Sequence, residues 1–161
     1  MQRQGDDQVA LYYELRNKGD LAVFVFHGVE LEEAPYYVER TRQGLTIGHK
    51  IIAPPRGLEL ERPEVPLAAR VEPGQHFRRK LEMTVPLRES MPYPHLQPRG
   101  QRQSGYLVVE GWLEVGFVAA DETEPAKEAG EGWTVPGVRA EKQSILRAGP
   151  IGRFAFEPYR R

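Results

Sequence analysis

The chain contains no cysteine, which excludes disulfides, thiolate nucleophiles, Cys-ligated zinc and iron–sulfur clusters together. The redox compartment stays open, because a cysteine-free domain is stable in either setting. No run of about 18 apolar residues occurs, so no helical membrane span is written into the sequence. The opening residues, MQRQGDDQ, hold no apolar stretch of the kind a signal peptide needs. As written the chain reads as cytoplasmic; the alternative is a leader already removed, with Met1 added in its place. A basic surplus is missing as well: 22 Lys and Arg face 23 Asp and Glu, a formal net charge of −1. A domain built on a nucleic-acid backbone usually carries that surplus, so nucleic acid is not expected as a partner. Arg outnumbers Lys 17 to 5, which reads as the codon bias of a GC-rich bacterial genome.

What is present suits one domain. The length is 161 residues, enough to bury a core without covalent staples. Leu, Ile, Val and Phe number 39, about 24%, above the range in which chains stay disordered. Gly and Pro together number 30, which fits a fold with many turns.

The ordering signal is alternation. In QVALYYELR, residues Val9, Leu11, Tyr13 and Leu15 share one face of a strand. Asn17-Lys18-Gly19-Asp20 then reads as a tight reversal. LAVFVFHG follows with both faces apolar, as in a strand covered on both sides, so residues 8–16 and 21–27 are expected to pair as a hairpin. Tyr36–Arg40 and Leu45–Lys50 read as short strands around the turn Thr41–Gly44. Pro54, Pro55, Pro63 and Pro66 mark edge strands and a crossing loop. After Pro73-Gly74 comes a long one-faced strand with Phe77, Leu81, Met83 and Val85 inward, interrupted by Arg79. An inward charge in such a row points to a buried ion pair or a sheet edge. RESMPYPHLQPRGQRQS reads as a loop. GYLVVEGWLEVGF resumes the alternation with Leu107, Val109, Leu113, Val115 and Phe117 inward. Residues 119–132 carry five acids against one Lys and read as a surface loop. SILRAGPIGRFAFEPY supplies one or two final strands.

Seven to nine such strands with almost no helical pattern predict an all-β fold, an antiparallel β-sandwich, with a closed barrel as the alternative. One domain is expected, with main sheets in 7–118, an acidic and Pro-Gly loop region in 119–142 and C-terminal strands in 143–159. The order YYELRNKGDLAVFVF, VEPGQHFRRKLEMTVPL, GYLVVEGWLEVGF resembles immunoglobulin-like domains of small uncharacterised bacterial proteins. The resemblance covers residues 8–117 and implies architecture alone, since the disulfide and strand-C Trp of antibody domains are both missing. Related sandwiches serve as inhibitors, adhesins, chaperones and accessory modules, so fold does not select function.

Catalytic chemistry finds no support. His27, His49, His76 and His95 share no HxH or HExxH spacing, and His27 with Glu30, Glu32 and Glu33 reads as ordinary strand-end polarity. Ser90, Ser104 and Ser144 sit in neither GxSxG nor SxxK. Glu110 and Glu114 lie two pleats apart, roughly 13 to 14 Å, too far for either glycosidase geometry. Arg88, Arg99 and Arg102 form a modest basic loop. No metal, cofactor or catalytic residue is therefore expected. The candidate binding surface is aromatic: Tyr36 and Tyr37 after Pro35, Tyr93 between Pro92 and Pro94, and Tyr106 and Trp112 on a polar strand face. The expected function is a non-catalytic protein-interaction module, engaging another protein through Pro-rich loops or an exposed sheet edge. The alternatives are a small-ligand or carbohydrate-binding domain using Tyr106 and Trp112, and a proteinase inhibitor acting through residues 88–98.

Overall fold

The alternating row of residues 8–16 and the two-faced row after it both form strands, but in different sheets. The computed structural model describes residues 2–3, 7–29, 34–54, 65–93, 106–123, 126–129 and 132–157 (backbone only for 2, 3 and 129). Among these residues the fold is all-β, with two single-turn 3₁₀ segments at Ala120–Glu122 and Ala140–Lys142. The smaller sheet runs β1 (Gln2–Arg3), β2 (Gln8–Arg16), β7 (His76–Thr84). The larger sheet holds nine strands. They are β3 (Val23–Gly28), β4 (Tyr37–Thr41), β5 (Gly44–His49), β6 (Leu67–Val71), β8 (Leu87–Arg88), β9 (Leu107–Ala119), β10 (Lys127–Ala129), β11 (Gly132–Thr134) and β12 (Ser144–Glu157). Twelve strands thus replace the expected seven to nine, because several edge pieces are only two or three residues long.

The expected hairpin of 8–16 with 21–27 is corrected by this pairing. β2 pairs antiparallel with β7 along its whole length, from Gln8↔Thr84 to Arg16↔His76. β3 pairs instead with β6 and β9. The cause sits in the connection. Asn17 donates from Nδ2 to the carbonyls of Leu21 (2.8 Å) and Val71 (3.0 Å) and accepts from the Gly19 amide (3.0 Å). These bonds tie the link to β6 and arch the chain from one layer to the other. A two-residue hairpin would instead turn it within one sheet.

The layers meet through the period-two rows. Leu11, Leu81 and Met83 from the small sheet pack on Val25, Leu45, Ile47, Leu113, Val115, Phe154 and Phe156 from the large one, all at most 5% exposed. Each fully buried Phe contributes roughly 1.5–3 kcal/mol from the area it removes from water. β3 is covered on its other face too. There Phe24 and Phe26 meet Ile51, Val118, Val135 and Val138, and Trp133 leans on Phe24 at 5.9 Å between ring centroids. This corrects the reading of 119–132 as a plain surface loop. β10 and β11 extend the large sheet through Trp133↔Ala68, and the chain after them covers β3. The described acids of the stretch, Asp121, Glu122 and Glu128, are exposed, in keeping with its solvated appearance in the sequence.

The pairing also departs from a purely antiparallel sandwich. β5 runs parallel to β9 and β8 runs parallel to β12. A bridge from Val38 to Ser90, with both amide–carbonyl bonds at 2.9 Å, links β4 to the chain after β8. Together with the β4–β5 hairpin these close a circuit β9–β12–β8–β4–β5–β9 around Phe154 and Phe156. Gly111 sits in this ring because a Cβ there would stand 2.4 Å from the Phe154 ring.

Candidate functional site: an uncovered strand edge

Most of the aromatic surface expected from sequence lies inside the protein. Tyr36, Tyr37 and Tyr93 are 5%, 2% and 6% exposed, a correction to their reading as loop-borne contacts. Neighbouring Tyr36 and Tyr37 are both buried because β4 enters between two apolar groups. Tyr36 joins the inter-sheet core, with its phenol hydrogen-bonded to the Thr84 backbone, while Tyr37 packs with Val29, Ile52 and Met91. Pro35 and Pro92 stiffen the backbone just ahead of Tyr36 and Tyr93, and the rings nevertheless lie inside. Tyr106 is exposed (66%). Trp112 is half-buried, with the Arg147 guanidinium 4.5 Å over its ring. Six residues of strand separate those two, roughly 20 Å, so they do not share one ligand platform. Among residues 88–93, Met91 and Tyr93 are buried and Arg88 is held by Glu157 at 3.0 Å. Glu30, Glu32, Glu33, His95, Arg99, Arg102 and Ser104 lie outside the described residues. Among the described residues no group of three His, Asp or Glu side chains is placed to hold a metal ion.

The surface that stands out is one the sequence reading passed over. β12 pairs antiparallel with β9 from Ser144↔Phe117 to Ala148↔Leu113, slips register at Gly149–Ile151, and resumes from Gly152↔Gly111. Beyond the slip it is also paired on its other side, where β8 meets Phe156 and Glu157. Over Ser144–Pro150, no described strand pairs the side opposite β9, and all seven residues are exposed. Ile145 (47%) and Leu146 (48%) lie there, on opposite faces. Leu146 stands opposite Val115, on the core-facing side, where the three-stranded sheet no longer reaches it. Ile145 stands opposite Gly116, which adds no side chain of its own to cover it.

The root of this edge is tied down by side-chain bonds. On the outer face Lys50 bridges Glu39 (2.9 Å) and Glu114 (2.6 Å), and Arg147 of β12 reaches Glu114 at 3.7 Å while stacking on Trp112. Burial alone would depress the Lys50 ammonium, but the Glu114 and Glu39 carboxylates outweigh it and hold the group above the ordinary lysine value. Gln143, just before β12, presents its amide to the backbone of Ile51, accepting from N–H at 2.8 Å and donating to C=O at 2.5 Å. A side chain thus continues the sheet pattern and fixes where the strand begins.

The long edge of the small sheet contrasts with it. β7 has no described partner beyond β2, yet its exposed side chains are His76, Arg78, Lys80, Glu82 and Thr84. Charged edges of this kind resist pairing with a foreign strand. Arg78 and His76 (2.7 Å) both bind Glu14, whose carboxyl they hold below its usual range.

Comparison with protein families, with characterised proteins and with solved structures finds no match for this chain.

Proposed function

We propose that the chain is a non-catalytic protein-interaction module that binds an extended segment of another protein by strand addition along Ser144–Pro150. The observation that carries this reading is that, among the described strands, this stretch pairs with β9 alone, with Ile145 and Leu146 half exposed beside its backbone donors and acceptors. A strand laid there would complete the main-chain ladder and cover both side chains. Each is about half exposed, so covering the remainder contributes about 1 kcal/mol per residue. The braced root means that little ordering is required of the receiving strand, which favours affinity. Its register points to a partner segment with two adjacent apolar residues beside an acidic one, the acid facing Arg147. An immunoglobulin-like kinship stays part of this proposal; the two-layer arrangement supports it, and the two parallel pairings set this chain apart from the antiparallel pattern.

The test is amide hydrogen exchange with a panel of extended decapeptides carrying that pattern. Binding should protect amides within 144–150 and should disappear in the double variant Ile145→Lys, Leu146→Lys. Protection confined to other regions, or binding indifferent to the double variant, refutes the edge as the site. Self-association lost in the same variant would keep the edge and assign its occupant to a second copy of this chain.

A further inference from the structure

Parity along β9 fixes which backbone groups the open edge of β12 has on offer. A Cβ at Gly44 or Gly48 would collide with the carbonyl oxygen of Glu110 or Glu114, so these even-numbered residues turn their main-chain groups toward β5. Just past β9 the Ala120 amide donates to the Ala22 carbonyl at 2.9 Å, on the same side. Odd-numbered Leu113, Val115 and Phe117 therefore bond toward β12, where they stand opposite Ala148, Leu146 and Ser144. Those three residues of β12 direct their N–H and C=O groups at β9. Ile145 and Arg147, lying between them, point theirs the other way, and no described strand meets them there.

The direction of an incoming strand follows from Leu146, which is 48% exposed on the core-facing side. In an antiparallel pairing that bonds at Ile145 and Arg147, the residue opposite Leu146 takes the non-hydrogen-bonded position. There the Cα atoms approach to about 4.5 Å and side chains pack closest. A parallel strand offers no such close pair and is slightly less stable per residue.

The outer face sets the two flanking positions. Ile145 receives no cover from Gly116 across β9, so an aliphatic neighbour on the open side is what shields it. Arg147 stacks on Trp112 at 4.5 Å and reaches Glu114 only at 3.7 Å, beyond hydrogen-bonding range, while Lys50 holds that carboxylate at 2.6 Å. A carboxylate opposite Arg147 is its complement. Resting on the strand-edge reading above, we infer that the edge selects a segment that reads acidic, aliphatic, aliphatic from its N- to its C-terminal end and lies antiparallel to β12. The acid meets Arg147, the first aliphatic residue covers Leu146 and the second lies beside Ile145. A second copy of this chain fits less well. Its Ile145-Leu146-Arg147, laid antiparallel, sets a cation beside Ile145 and brings no acid to Arg147.

The experiment uses the unaltered chain and varies only the peptide, so no variant has to fold. A decapeptide with Glu-Leu-Val at its centre should bind by calorimetry and protect amides within 144–150. The reversed order, Val-Leu-Glu, should bind about fivefold more weakly or worse. N-methylation of the Glu or the Val removes a main-chain bond and wedges a methyl between the strands, which should weaken binding about tenfold or more. N-methylation of the Leu, whose N–H points away from β12, should change affinity less than about threefold. Equal or tighter binding of the reversed peptide overturns the inferred order and leaves the edge as the site, as does a methyl on Leu as harmful as one on Glu. Protection of 144–150 by none of the peptides removes the edge reading itself, and the order with it. Self-association through 144–150 that excludes every peptide makes a second copy the occupant and overturns the inference.

Discussion

Replacing Asn17 by Ala should destabilise the fold well beyond what an exposed link residue normally contributes. Its side chain makes three hydrogen bonds, two to carbonyls of Leu21 and Val71 and one from the Gly19 amide. Each is worth roughly 0.5–1.5 kcal/mol net, and with two of them exposed a loss of about 2–3 kcal/mol follows. For a domain of this size that lowers Tm by about 5–10 °C. Urea denaturation followed by the fluorescence of Trp112 and Trp133 measures it directly. Asn17→Asp sharpens the test, because it keeps the acceptor for Gly19 but sets a carboxylate against two carbonyls. It should therefore be at least as harmful as Ala. A loss below about 0.5 kcal/mol for Ala, or an Asp variant as stable as the original, would refute the claim that the Asn17 donors bend the chain between layers.

Acid should weaken the fold through His49. Its folded pKa near 4 lies below the ordinary 6.5, so stability is lost as pH falls from 6.5 toward 4, by up to about 3 kcal/mol; chemical denaturation against pH should show this slope, and His49→Gln should flatten it. At the alkaline end the sign is opposite. Tyr13, held near 12, contributes stability below pH 10 that is lost between 10 and 12, and Tyr13→Phe should remove that part of the unfolding profile. Gly48→Ala should cost about 3 kcal/mol or more, since Gly48 has φ +149° and a Cβ would stand 1.9 Å from the Glu114 carbonyl oxygen; a variant with unchanged Tm would sink the close parallel approach of β5 and β9.

The parts of the fold readable in advance are those where one residue pattern had one physical meaning. Leu81, Met83, Leu113 and Val115 alternate with polar residues, and all four line the inter-sheet core. The two-faced row expected over 21–27 is covered on both sides from Val23 onward, while Leu21 at its start is exposed, and the hairpin around Thr41–Gly44 forms in register. What alternation does not carry is pairing partner. Asn-Lys-Gly-Asp suits a hairpin as well as an arch, and only the long-range bond to Val71 separates them. The site failed for a related reason. Proline neighbours report stiffness, not direction, so Tyr36, Tyr37 and Tyr93 could not be told from surface anchors. The edge at 144–150 had a weak signal: two adjacent aliphatic residues fall on opposite faces, so both are buried only if the strand is covered on both sides. Whether the second sheet extends that far depends on the other strands and not on β12 itself.

The two edges show why exposure alone does not define an interface. β7 and the first half of β12 both lack a described outer strand partner, so each presents backbone groups along one side. On β7 the outward side chains are charged and largely matched among themselves, as in His76 and Arg78 with Glu14 and Lys80 with Glu82. A foreign strand there would have to desolvate or break pairs that are already satisfied in water. On β12 the exposed large side chains Ile145 and Leu146 are aliphatic, and covering those two releases water with no pair of theirs to break. The charges nearest that edge, Arg147, Glu114 and Lys50, are bound to one another on the outer face, where they hold the strand in place without standing between its open edge and an incoming segment. A chain selected only against aggregation would place Lys at 145 or 146, as it does at 80 on the other edge. Keeping Ile and Leu there retains a liability, and a use for that edge is the reason such a liability persists.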